Sequence, residues 1–126
     1  MPKAIDPAER LAKLTELCVA LPETRRELKG LSNEHAAFMV GKKTFVWFVA
    51  NHHGDGIVGI WCKVPPGENN ALAAANPKRF FIPPYVGKQG WVGFRLDTPS
   101  VSWSEVKELI QTSYRMMAGK KLLEQM

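Results

Sequence analysis

A chain of 126 residues is the size of one domain and buries roughly two-thirds of its unfolded surface, so a core can form without disulfides. A hydrophobic content of 45% and a charged content of 23% fit a globular protein, not a disordered one, and no run approaches the roughly 20 apolar residues of a membrane span. Lys and Arg number 17 against 12 Asp and Glu, and the resulting +5 leans towards an anionic partner while serving solubility equally well.

Residues 1–5 read as a frayed tail without the apolar core of a secretion signal. Asp6-Pro7-Ala8-Glu9 then starts a helix, with Asp at the N-cap, Pro in the first turn and Glu at the third helical position. Leu11, Leu14, Cys18 and Leu21 recur at helical spacing, Arg10, Lys13 and Glu16 fall on the solvated faces, and Pro22 ends the element. Residues 23–34 are polar, carry Arg25, Arg26 and Lys29, and read as a loop or a short edge segment. His35 to Val40 is a strand, Gly41-Lys42-Lys43 a tight turn, and Thr44 to Ala50 a returning strand. Alternation places Phe45, Trp47 and Val49 on one face of that strand and Val46 and Phe48 on the other. With both faces apolar, the strand is expected at the centre of a sheet. Residues 51–56 form a second turn and Ile57 to Val64 a third strand, giving an antiparallel meander.

Pro65-Pro66-Gly67 breaks the sheet, and Glu68 to Asn76, rich in Ala, is a short helix. In the stretch from Phe80 to Asp97, Pro83 and Pro84 fix two backbone angles, and Gly87 and Gly90 permit turns. From Trp91 a strand alternates, with Val92, Phe94 and Leu96 on one face and Trp91, Gly93 and Arg95 on the other. Ser102 to Glu105 is a second capping box, with Val101 and Val106 placed for a hydrophobic staple. Val106, Leu109, Ile110, Ser113 and Met117 form the buried stripe of a last helix, near whose end lie Gly119, Lys120 and Lys121. The expected fold is α+β, an antiparallel sheet with the N- and C-terminal helices packed on one face.

The run PPYVGKQGWVGFRLD, followed by SYRMMAGKK, resembles the MmcQ/YjbR family. LPET at Leu21 to Thr24 and FMVGKKTFVWF at Phe38 to Phe48 fit the same pattern, so the resemblance spans nearly the whole chain as a single domain, 1–126. It implies a double-wing fold similar to the frataxin/CyaY topology and a DNA-binding role. It supplies no catalytic residues.

Candidate chemistry is sparse. His52-His53 with Asp55 lacks further ligands at metal spacing and reads as a solvated turn, so no metal or cofactor is expected. Cys18 and Cys62 lie in apolar runs and are expected to be buried, unpaired and inert, which suits a reducing cytoplasmic setting. His35 reads as a structural histidine, and neither an activating base nor its orienting partner is evident for a nucleophile, so no enzyme is expected. Gly87-Lys88-Gln89-Gly90 lacks the strand–loop–helix context of a phosphate-binding loop. The basic residues carry the most functional signal: Lys42 and Lys43 on a hairpin tip, and Lys78, Arg79 and Lys88 flanking the Phe80–Asp97 stretch. They fit a weak, phosphate-based DNA contact with little sequence preference, because no exposed base-reading row of Asn, Gln and Arg is evident. The alternative is a small-ligand or protein-binding module using a cleft near Tyr85, Lys88, Trp91 and Arg95; there a partly exposed Trp91 would stack on a ligand, although packing in the core is the preferred reading of this residue. A monomer away from membranes is expected.

Overall fold

The computed structural model describes residues 6–30, 35–50, 57–84 and 86–119. These residues form three α-helices and six strands: α1 (Pro7–Val19), β1 (Thr24–Lys29), β2 (His35–Val40), β3 (Lys43–Ala50), β4 (Val58–Lys63), α2 (Glu68–Ala75), β5 (Phe80–Phe81), β6 (Trp91–Arg95) and α3 (Trp103–Met117). A 3₁₀ turn, Gly87–Gln89, leads into β6. The sheet is antiparallel in the order β1-β2-β3-β4-β6-β5. The expected meander is therefore its middle. The charged segment after Pro22 supplies one edge as β1, and the Phe80–Asp97 stretch supplies the other.

Both terminal helices start where the caps place them. Asp6 Oδ1 accepts from the Ala8 N–H at 3.0 Å, and Ser102 Oγ accepts from the Glu105 N–H at 3.4 Å. The second half of the latter box is diverted, since the Glu105 carboxylate meets Arg79 at 3.4 Å. Leu14 and Cys18 of α1 and Val106, Leu109, Ile110 and Tyr114 of α3 share one core with Ala36, Phe38, Val46, Phe48, Ile60, Cys62, Val92 and Phe94 of the sheet. The two helices thus cover the same sheet face, and the opposite face carries no helix packed across it among the described residues. Cys18 and Cys62 are both buried and unpaired. Burial, reinforced for Cys18 by the nearby Cys62, raises both thiol pKa values and keeps them protonated.

Two side chains depart from the simple periodic reading. Strict alternation would set Phe45 beside Trp47, yet Phe45 lies in the helix-side core. Phe38 pairs with Val46 and Met39 with Thr44, so Phe45 is an extra residue that bulges β3 and turns its ring towards α3. There it meets the Tyr114 ring edge-on, with centroids 5.4 Å apart. Tyr114 in turn donates to the Pro22 carbonyl at 2.7 Å and ties α3 to the segment following α1. Arg10 is not solvated as its helical position implied. Its Nε donates to the Leu96 carbonyl at 2.9 Å and its Nη2 to the Thr98 carbonyl at 3.1 Å, which pins α1 to the chain leaving β6.

Candidate nucleic-acid interface and ligand cleft

The antiparallel register gathers the start of β1, the end of β2, the start of β3, the end of β4 and the start of β6 at one end of the sheet. Lys42 and Lys43 are exposed there on the β2–β3 turn, which Gly41 makes with a positive φ of 60°. Lys63 closes β4 at the same end, and Lys88 sits in the 3₁₀ turn before β6. Ser113 anchors the end of α3 to this region, because its hydroxyl donates to the Phe45 carbonyl and accepts from the Lys63 N–H at 2.9 Å. Arg115, two residues on in α3, is exposed. Arg25 also belongs to this end, where its guanidinium donates to the Gly41 carbonyl and lies 4.0 Å from Glu27.

Lys78 and Arg79 are exposed at the opposite end, just before β5. Arg79 is engaged by Glu105, and its carbonyl accepts from the Arg95 N–H at 2.8 Å. The basic residues singled out from the sequence therefore divide into two groups, Lys42, Lys43 and Lys88 at one end and Lys78 and Arg79 at the other.

A cleft of about 380 Å³ opens beside Lys88, lined by Lys63, Asn69, Asn70, Gly87 to Gly90 and Met116 among others. Asn69 builds its wall. It is 3% exposed, in a helix otherwise rich in Ala. Its Nδ2 donates to the Gly87 carbonyl at 2.8 Å and the Trp91 carbonyl at 3.1 Å, and its Oδ1 accepts from the Asn70 N–H at 2.8 Å. Every polar atom of this buried amide is occupied, and the turn carrying Lys88 is fixed to the start of α2. The sequence marked Lys88 but not Asn69, whose only signal was a pair of amides at the start of an Ala-rich run.

The rest of the expected cleft is arranged differently. Trp91 is 6% exposed and packs with Val49 and Trp61 on the helix-free face, as the packing reading has it, and the partial exposure that stacking needs is absent. Phe81 covers that region so closely that a Cβ on Gly93 would lie 2.3 Å from its ring. Arg95 lies at the far end of β6 from Lys88 and holds Asp97 through two hydrogen bonds, of 2.9 and 2.8 Å. Burial of Asp97 works against its ionisation. The hydrogen bonds and charge of Arg95, with the Val58 N–H, outweigh it and hold the carboxyl below its ordinary value. Tyr85, together with His52 and His53, lies outside the described residues. Among those described, no three His, Cys, Asp or Glu side chains group closely enough to hold a metal ion, and no helix is long and apolar enough to cross a membrane.

An antiparallel sheet with helices on one face, a basic end and a polar cleft defines an α+β domain. The YjbR family model matches residues 19–116, and the chain belongs to that family. The crystal structure of Deinococcus radiodurans protein DR2400, with the family-model domain DUF419, is similar over 96% of this chain and 83% of that one, with a TM-score of 0.69 and 22% sequence identity. That likeness establishes the fold. No curated protein matches the chain.

Proposed function

We propose that this chain is a non-catalytic nucleic-acid-binding module that holds phosphates at the basic end of its sheet, through Lys42, Lys43, Lys63 and Lys88. The observation supporting this is the gathering of these cations at one end of a rigid sheet, on turns and strand ends where side chains project. Lysines on such tips reach phosphate oxygens without reading bases, so binding is weak, strongly salt-dependent and nearly indifferent to sequence. Both long helices turn their apolar stripes inward, and neither offers a row of amide and guanidinium groups for a groove.

The test is a salt titration of wild type and the Lys42→Glu, Lys43→Glu double variant on two unrelated duplexes. Wild type binds both alike, and the variant binds both more weakly, with the salt slope reduced by about 0.9 for each phosphate that is no longer neutralised. No wild-type binding at low salt removes this reading.

The cleft beside Lys88 supports a second reading, a site for a small anionic ligand between Lys63 and Lys88. Its volume of about 380 Å³ falls within the usual range for small-molecule sites. Inorganic phosphate, titrated in the absence of duplex, should then protect the protein against thermal unfolding, and Lys88→Ala should abolish the protection while leaving Lys42→Glu, Lys43→Glu protected.

A further inference from the structure

The helix-free face of the sheet holds a second, chemically different recess. Two cross-strand rows build it. In one, Lys29 pairs with His35, and Val49 pairs with Gly59; in the next, Ala37 pairs with Trp47 and Trp47 with Trp61. Ala37 and Gly59 leave space that larger residues would fill. Gly59 cannot be replaced cheaply, since a Cβ there would lie 2.7 Å from the Phe94 carbonyl oxygen. The result is a slot of about 180 Å³ lined by Lys29, His35, Trp47, Val49 and Trp61, with almost wholly apolar walls. Val49 is buried at 4% exposed and Trp61 at 7%, whereas Trp47 is only half-buried. His35 is held in place because its Nδ1 accepts from the Ala50 N–H at 3.2 Å.

Charge distinguishes this face from an ordinary apolar patch. Alternation puts Arg25, Glu27, Lys29, Lys63, Arg95 and Asp97 on it. Arg25 lies against Glu27 at 4.0 Å and Arg95 against Asp97 at 2.8 Å. Lys29 has no carboxylate partner among the described residues and lines the slot beside Trp47, whereas Lys63, on the same sheet face, lines the cleft beside Lys88. An uncompensated cation beside a half-exposed indole favours a ligand that is planar, apolar on its faces and negatively charged at one edge. At about 180 Å³ the slot is below the roughly 300 Å³ at which drug-sized pockets begin, so it suits one ring system. Antiparallel sheet faces with accessible aromatic side chains are a recurrent platform for unpaired bases, which a duplex keeps stacked away.

We infer that the slot takes an unpaired base of single-stranded nucleic acid, stacked on Trp47, with a neighbouring phosphate towards Lys29. The site is separate from the Lys42–Lys43 tip, and its test does not depend on duplex binding there. The stacking role weighed for Trp91 falls to Trp47.

The experiment follows tryptophan fluorescence of the full chain during titration with a short oligothymidylate, thymidine monophosphate and a duplex of equal length. The oligothymidylate is expected to quench, with Trp47→Ala binding about 5- to 100-fold more weakly and Trp47→Phe close to wild type. Lys29→Glu, an exposed change that leaves the core intact, should weaken binding and lower the salt slope by about 0.7. Duplex affinity should be the same in wild type and all three variants. Absence of quenching by the oligothymidylate, or equal affinity in wild type and Lys29→Glu, overturns the inference. Equal affinity for the monophosphate and the oligomer also overturns it, because the slot would then hold a free nucleotide.

Discussion

At the scale of single residues, the Arg95–Asp97 pair links the end of β6 to β4, where Asp97 also accepts weakly from the Val58 N–H at 3.5 Å. The sign of its pH dependence follows from the lowered carboxyl pKa. With the folded pKa below the unfolded value of about 4, the unfolded chain binds more protons as the solution is acidified. The contribution is complete above about pH 4 and disappears as pH falls through the folded value. Asp97→Asn is therefore expected to lower the Tm near neutrality and to flatten its decline on the acid side. Thermal melts of both proteins from near neutrality down to about pH 2 measure this. A decline as steep in the variant as in wild type would assign the acid sensitivity to another carboxylate. The two cysteines work differently: burial keeps both thiols protonated, so they contribute packing and no charge.

At the scale of elements, the short helix α2 matters because Asn69 fixes the Lys88 turn to it. Truncation to Asn69→Ala removes the amide donor from the Gly87 and Trp91 carbonyls, and the Gly87 carbonyl keeps only the Gly90 N–H. Losing such a buried donor costs about 1–3 kcal/mol, a fall in Tm of roughly 3–6 °C per kcal/mol at this chain length. Hydrogen exchange should also accelerate at the Gly90 amide, which bonds to the Gly87 carbonyl at 3.2 Å in the same turn. A Tm drop without faster exchange there would show that Asn69 only packs. This role was not legible beforehand, because an Asn in an Ala-rich run reads as a helix-surface residue until its carbonyl partners, 18 and 22 residues away, are known. The same is true of Phe45. Its place in the helix-side core depends on a bulge set by pairing between two strands, and period two within one strand carries no such information. Features with local causes were legible, namely the caps at Asp6 and Ser102, the stops at Pro22 and Pro65, and the Val92–Phe94–Leu96 stripe. Trp91 lay between these cases: its face was readable, but its burial depends on Phe81 and Val86 packing over it from other segments.

At the scale of the whole molecule, the question is how the two basic groups relate to one extended ligand. Strands of five to eight residues separate the Lys42–Lys43 tip from Lys78 and Arg79, a distance on the order of 20 Å at about 3.3 Å per residue. On the proposed reading, a duplex lies across the strand ends at Lys42, Lys43, Lys63 and Lys88, with the second group beyond its reach. Arg79 is in addition already engaged by Glu105 at 3.4 Å, so its charge is partly answered within the protein. The Lys78→Glu, Arg79→Glu double variant is therefore expected to bind duplex within about twofold of wild type, with an unchanged salt slope. The Lys42→Glu, Lys43→Glu variant instead shows a slope smaller by about 0.9 for each phosphate it leaves unneutralised. Fluorescence anisotropy of labelled duplex at four salt concentrations compares them directly. Equal losses of affinity in the two variants would mean that the duplex runs along the strands and touches both ends. A loss confined to Lys78→Glu, Arg79→Glu would move the interface to the far end, where the N-termini of α1 and α3 lie, and would leave the cleft beside Lys88 to a small anion.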